Sequence, residues 1–235
     1  MPEQQPQHLD VTADIEAIDA LLNVDGLKLV DVGCGPGALS KAMAERGATV
    51  VAIEPDPKQA ALNAAADPVP GVTFLDAPAQ SIPVETATMD GVVFSRSLHH
   101  VPGTEMDTAL REAERVLKSE SGFMFVLEPE VNGTYFQLIK PFHDETEVRR
   151  LAREALVRVA DQDFAACATY TYETMSEFAG FEEFRDRVAA RTFLEIDVAS
   201  IDRPEIRRTF ETGYDGETYR FAAPHWIALY RGVRR

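Results

Sequence analysis

Leu29-Val30-Asp31-Val32-Gly33-Cys34-Gly35-Pro36-Gly37 is the stretch on which the fold turns. The apolar run Leu27–Val32 predicts a buried strand. It passes straight into a loop with glycine at 33, 35 and 37 and an acid, Asp31, at its mouth. Glycine carries no Cβ and takes φ values that other residues avoid, so this backbone can approach a nucleotide-like ligand closely. Residues 38–46 read as a helix, whose first N–H groups face the same place.

The same rhythm continues outward. Thr49–Ile53 is a second strand, ending at Glu54-Pro55-Asp56, and a helix follows from Pro57 to about Ala66, with proline in its first turn. Val72–Leu75 is a third strand, stopped by Asp76. Gly91–Phe94 is a fourth, followed by Ser95-Arg96-Ser97-Leu98-His99-His100. Glu105–Lys118 carries Ala109, Leu110, Ala113, Val116 and Leu117 on one helical stripe. Phe123–Leu127 is a fifth strand. Strands alternating with helices at this spacing predict a parallel sheet covered on both faces.

Upstream, Val11–Val24 reads as a helix, capped by Asp10 or Thr12, and Met1–Asp10 as a loose tail. Downstream of residue 129 the rhythm breaks. His143–Ala160 and Thr171–Ala179 read as helices, Thr192–Val198 and His225–Tyr230 as closing strands, and Pro204–Thr212 as a helix between them. The expected organisation is one domain over residues 11–235, with residues 130–190 as a helical cap inserted between strands five and six.

The chain has 235 residues, 45% of them apolar, which supports an ordinary globular core. Its net charge of -16, from 39 acidic and 23 basic residues, repels a phosphate backbone, and no basic block offsets this. Nucleic acids and anionic membranes are therefore not expected partners. There is no secretory leader and no membrane-spanning apolar run. The two cysteines, Cys34 and Cys167, make no disulfide scaffold and point to a reducing cytoplasm. No cysteine or histidine cluster has zinc spacing, so no metal is expected. Nothing in the sequence sets an oligomeric state.

The glycine loop fits the loose dinucleotide pattern G-x-G-x-x-G/A, which leaves an NAD(P)-dependent oxidoreductase open. Asp31 favours a different ligand. A carboxylate beside the loop repels pyrophosphate but suits S-adenosylmethionine, which carries an ammonium and a sulfonium. Glu54, at the second strand tip, can accept from both hydroxyls of a ribose. Asp76, at the third, can accept from an adenine amino group, with the Ala77 N–H near a ring nitrogen. In such sheets ligands bind beyond the carboxyl ends of the strands, where Asp31, Glu54, Asp76 and Ser95 all fall. Cys34, Pro55 and Arg96 flank them as further cofactor-lining candidates.

Asp31-Val32-Gly33-Cys34-Gly35-Pro36-Gly37 resembles the acid-x-Gly-x-Gly-x-Gly signature of Rossmann-like S-adenosylmethionine-dependent methyltransferases. Asp76-Ala77 with Ile82-Pro83, Asp90–Phe94 with Leu98-His99-His100-Val101, and Leu110-Arg111-Glu112 with Arg115–Lys118 resemble later segments of its small-molecule branch. The resemblance covers residues 27–129. Ser119-Glu120-Ser121-Gly122 departs from the Pro-Gly-Gly turn usual there. It implies a seven-stranded, mostly parallel sheet whose last strand is antiparallel, with Asp31, Gly33, Gly35 and Gly37 around the methionine part of the cofactor, Glu54 on the ribose, and Asp76 with Ala77 at the adenine. S-adenosylhomocysteine is then the product.

Methyl transfer is an in-line displacement for which the protein positions the nucleophile and removes water. A base is needed only where the acceptor must lose a proton. His99 and His100 stand where one would act. Tyr135, His143, Tyr170 and Tyr172 are the expected wall of a small-molecule acceptor pocket. Arg149, Arg150 and Arg153 lie on one helix and read as a solvated face paired with Glu145 or Glu154. A protein that only binds the cofactor, without catalysis, is a third reading. The acceptor atom is not encoded in any motif.

Overall fold

The computed structural model describes residues 5–190 and 197–234. One eight-stranded sheet organises them. Its strands are β1 (Gln7–His8), β2 (Lys28–Val32), β3 (Thr49–Glu54), β4 (Val72–Asp76), β5 (Gly91–Ser95), β6 (Phe123–Pro129), β7 (Phe164–Phe178) and β8 (Tyr219–Val233). The spatial order is β1-β7-β8-β6-β5-β2-β3-β4. All neighbouring pairs are parallel except those of β8, which runs antiparallel to both β6 and β7. Seven strands with an antiparallel last strand are present as the resemblance implies, but the sixth of them is β7 and not Thr192–Val198, and β1 adds an eighth at the edge.

The central strands are continuously apolar because both their faces are covered. Val92, Phe94, Met124 and Val126 meet α4 (Met106–Val116) and α6 (Thr146–Arg158) on one side. Leu29, Val50, Val93 and Phe125 meet α1 (Asp14–Leu21) and α2 (Ala38–Glu45) on the other. The stripe read on α4 is buried as expected: Ala109, Leu110, Ala113 and Val116 are at most 1% exposed.

Beyond Pro129↔His225, the last β6–β8 pair, β7 and β8 continue as a two-stranded ribbon to Phe178↔Tyr219. This ribbon overhangs the carboxyl edge of the sheet. It packs with α5 (Thr134–Ile139), α8 (Phe181–Ala189), α9 (Val198–Ile201) and α10 (Pro204–Glu211) into a separate core rich in phenylalanine: Phe136, Phe178, Phe181, Phe184, Phe210 and Phe221.

Three expectations are corrected. A helical segment does lie between the fifth and sixth core strands, comprising α5, α6 and α7 (Ala160–Asp163), but it ends at Asp163 rather than running to 190. Residues 171–179, read as a helix, belong almost wholly to β7. Thr169, Thr171 and Thr174 are β-branched and Tyr170 and Tyr172 alternate with them, which suits a pleated strand. The tail is tied down at its end: Gln7 and His8 pair with β7, Leu9 N donates to Thr171 O at 2.8 Å, and Leu9 is buried. The strand expected at Thr192–Val198 lies outside the described residues as far as 196, and Val198 opens α9.

Candidate active site

The glycine loop leaves β2 and is anchored at once to the end of β3, where Gly33 N and Cys34 N both donate to Ile53 O, at 2.9 and 3.0 Å. Gly33, Gly35 and Gly37 all have positive φ. A Cβ on Gly33 would lie 2.6 Å from the Ser97 Cβ, and one on Gly37 would lie 2.4 Å from the Phe74 ring. A Cβ on Gly35 would meet nothing within 4 Å. Gly35 therefore offers bare backbone to open space, the surface a cofactor can lie on.

Glu54 closes β3. Its carboxylate accepts from Gly35 N at 2.8 Å and Asp56 N at 2.9 Å, and each oxygen keeps a lone pair for a ribose hydroxyl. Asp31 is buried and accepts from the Ser40 hydroxyl. Burial raises its pKa to about 6; Ser40 opposes the rise and the Glu54 charge adds to it. Asp76 is exposed at the β4 tip and Ala77 beside it is buried. The Cys34 thiol is pushed far up by burial and by Asp31 and Glu54, which disfavours the thiolate that a nucleophile needs. Asn63, which sequence reading passed over, donates to Gly35 O at 2.8 Å. Its signal was a polar residue on the inner face of α3 (Pro57–Ala65).

The Ser97 hydroxyl donates to Val32 O and so stitches the segment after β5 to the glycine loop. Around it, Arg96 takes a left-handed φ of 55°. Its guanidinium pairs with Asp14 of α1, which also accepts from Ser95 Oγ and from the Tyr172 hydroxyl, the latter at 2.6 Å. Asp14 is a second residue that sequence reading missed. It sits in the first turn of a helix, where an acid is ordinarily explained by the helix dipole alone.

Beyond Ser97 a cavity of about 370 Å³ opens at the carboxyl edge of the sheet. Arg96, His99 and His100 form one wall, Tyr135, Phe136, His143, Glu145 and Arg149 another, and Thr174 and His225 of the ribbon a third. His99 is buried, and its Nδ1 bonds to the Glu128 carboxylate while Nε2 lies 3.5 Å from Glu145 Oε1. Burial pulls the His99 pKa down, but the two carboxylates outweigh it and the net shift is upward. His100, its ring tilted against that of His99 with centroids 4.1 Å apart, is shifted downward by burial and by the His99 charge. Burial raises the Glu145 pKa, but bonds from His143 and His99 and the charges of His99 and Arg149 hold it well below the carboxylate range.

Of the four expected acceptor-wall residues, Tyr135 and His143 line this cavity and Tyr170 and Tyr172 do not. Tyr172 is buried under the ribbon, 4.8 Å from the His225 ring, and Tyr170 pairs with Gln7 at the sheet edge. Arg149 is also not on a solvated face. It is buried, bonded to Glu145 and to Glu130 O, and stacked 4.5 Å over Phe136, whereas Arg150 does pair with Glu147 and Glu154 in solvent.

The Methyltransferase domain family matches residues 30–125, the part of the sheet that carries the glycine loop and the acid tips. A ubiquinone biosynthesis O-methyltransferase of Paracidovorax citrulli is 30% identical over 162 residues, 59% of this chain and 68% of that protein. The chain belongs to the Rossmann-like S-adenosylmethionine-dependent methyltransferases. Membership resolves the choice of cofactor that the glycine pattern leaves open. An uncharacterized methyltransferase of Oceanobacillus iheyensis is 32% identical over 98 residues, 42% of this chain and only 45% of that relative. The fold recurs in the YcgJ protein of a Bacillus species (TM-score 0.57, 15% identity, 94% of this chain and 96% of that one). It recurs too in the [4+2]-cyclase SpnF (TM-score 0.55, 19% identity, 94% and 80%). Among the described residues of this methyltransferase, no helix is long and apolar enough to cross a membrane.

Proposed function

We propose that this methyltransferase transfers the methyl group of S-adenosylmethionine to a small-molecule acceptor held in the cavity beyond Ser97. What supports this is that Arg96, which lines the cavity, is followed directly by Ser97, whose hydroxyl bonds Val32 O at the start of the glycine loop. A volume of about 370 Å³ suits a compact molecule, not a macromolecular surface.

Asp31, Gly33, Cys34, Gly35 and Gly37 would surround the methionine part, Glu54 and Pro55 the ribose, and Asp76 with Ala77 the adenine, with Ser95 and Arg96 at the junction with the acceptor. When bound, the sulfonium supplies an activated methyl, so the chain's own work is positioning and exclusion of water. Tyr135 and His143 would hold the acceptor under a cap built from residues 130–163 and the ribbon. Arg149 Nε and His225 Nδ1 are buried on this wall without partners, which favours an acceptor bearing oxygen or nitrogen. His100, whose pKa is shifted downward, is the group at hand to take a proton from an acceptor that must lose one, with His99, held protonated by Glu128 and Glu145, behind it. A reducing cytoplasm agrees with the two free cysteines.

The likeness to a cyclase shows that this fold alone does not fix the reaction. The test is therefore chemical. Purified protein is given S-adenosylmethionine and the low-molecular-weight filtrate of a cell extract. The expected result is cofactor binding by calorimetry and filtrate-dependent release of S-adenosylhomocysteine. Tight NAD binding without S-adenosylmethionine binding, or cofactor binding with no methylated product, overturns the proposal.

A further inference from the structure

We propose that His99, His100 and Glu145 form a binding site for one divalent transition-metal ion of the zinc class, on the wall of the acceptor cavity. Sequence spacing hid it, because the ligands come from two elements far apart in the chain. Folding brings one donor atom of each to within 4.8 Å of the others. A tetrahedral ion with bonds near 2.0 Å spaces its ligands by about 3.3 Å, so small side-chain rotations close the set. Two imidazoles and one carboxylate suit zinc and its first-row neighbours.

The surroundings are those of a ligating histidine. The Glu128 carboxylate takes the Nδ1–H of His99 in a buried pair, which fixes the ring and leaves the Nε2 lone pair facing Glu145. Carboxylates set behind metal-bound imidazoles in this way orient the ring and raise its basicity. Arg149 grips Glu145 through Oε2, which leaves Oε1 toward the imidazoles, and His143 Nε2, 2.7 Å from that oxygen, helps hold it there. A site with three protein ligands keeps a position open, and here the open side is the cavity. The metal would draw an oxygen-bearing acceptor to that position. This last step rests on the methyl-transfer reading; the binding of the metal does not. The competing arrangement places a proton, not a metal, on His99 Nε2 between the two carboxylates.

The experiment uses untagged full-length protein, stripped with chelator, and titrates it with Zn²⁺ against a chromogenic competitor, without cofactor or acceptor. Co²⁺ is then added as a spectroscopic probe. The expected result is one equivalent bound, with visible Co²⁺ bands of a four- or five-coordinate nitrogen/oxygen site. H100N and E145Q should each weaken binding by at least about tenfold, and E128Q by about 10–100-fold. His100 lines the cavity and belongs to none of the hydrophobic clusters, so H100N should fold even if E145Q does not; circular dichroism checks each. No stoichiometric Zn²⁺ binding, or a folded H100N that binds as tightly as wild type, overturns the site. S-adenosylmethionine binding measured on the same sample separates that failure from failure of the cofactor assignment.

Discussion

The Ser40 hydroxyl donates to the buried carboxylate of Asp31, beneath the glycine loop. Ser40 lies in the first turn of α2, so the helix that closes the loop also supplies the one hydrogen bond that lowers this acid's pKa. That bond does not cancel the cost of burial. The folded protein therefore holds a carboxylate whose burial is costly when ionised, a cost that a bound cation such as the S-adenosylmethionine head would offset.

Asp31→Asn should consequently stabilise the empty protein while weakening the cofactor. The Asp31 pKa is raised from 3.8 to about 6 in the folded state. A raised acid favours folding below its unfolded pKa, and that contribution is lost as pH climbs through about 6. At pH 8 the full penalty stands at about 3 kcal/mol for a shift of this size. Urea unfolding should show Asp31→Asn more stable than wild type by about 1–3 kcal/mol at pH 8 and equal to it near pH 4. Calorimetry should show weaker S-adenosylmethionine binding. A variant less stable than wild type at pH 8 would contradict the account.

The loop glycines should separate by phenotype. Gly33→Ala drives a methyl into Ser97 and must also hold a left-handed φ, so its loss should appear in stability, by about 2 kcal/mol or more. Gly35→Ala meets no protein atom and should lose only about 1–2 kcal/mol from backbone strain. Its methyl points into the open space the cofactor would occupy, so binding should fall at least tenfold. Thermal unfolding and cofactor titration on both variants check this; equal effects on both readouts would refute it.

Residues 27–129 were legible because each element there repeats one local rule: an apolar strand, a turn residue, an amphipathic helix. Burial of both strand faces then leaves little choice of register. After Pro129 the rules compete. Thr171–Ala179 carries no helical stripe, and the pairing with Tyr219–Trp226 that fixes it as a strand comes from about forty to fifty-five residues away. The positions of the acids at the strand tips were readable because the strands fix where they end. Asp14, Asn63 and Arg149 were not, since each gains its meaning from a partner on another element: Arg96 and Tyr172, Gly35, and Glu145 with Phe136.

Tyr172→Phe tests the correction to the acceptor wall. The ring stays buried and only the hydroxyl bond to Asp14 is lost. A hydrogen bond to a charged group is worth about 1.5–3 kcal/mol, and Asp14 keeps its Arg96 partner, so the loss should fall at the lower end. Denaturant unfolding should register it, while the KM for an acceptor, once one is known, should stay within twofold. A large KM change with unaltered stability would return Tyr172 to the pocket.

Arg149→Lys should be far from conservative. The guanidinium bonds Glu145 and Glu130 O and stacks on Phe136, three contacts in a fixed geometry. An ammonium can keep the charge but not the planar fork. Glu145 would retain a cation at longer range and lose its anchored orientation. Arg149→Met leaves the buried carboxylate with no guanidinium at all, a change that costs about 3–5 kcal/mol where a buried pair is broken. The expected order of stability is wild type, then Arg149→Lys, then Arg149→Met, read by denaturant midpoints at pH 7. A methionine variant as stable as wild type would mean that Glu145 is adequately held by His143 and His99 alone.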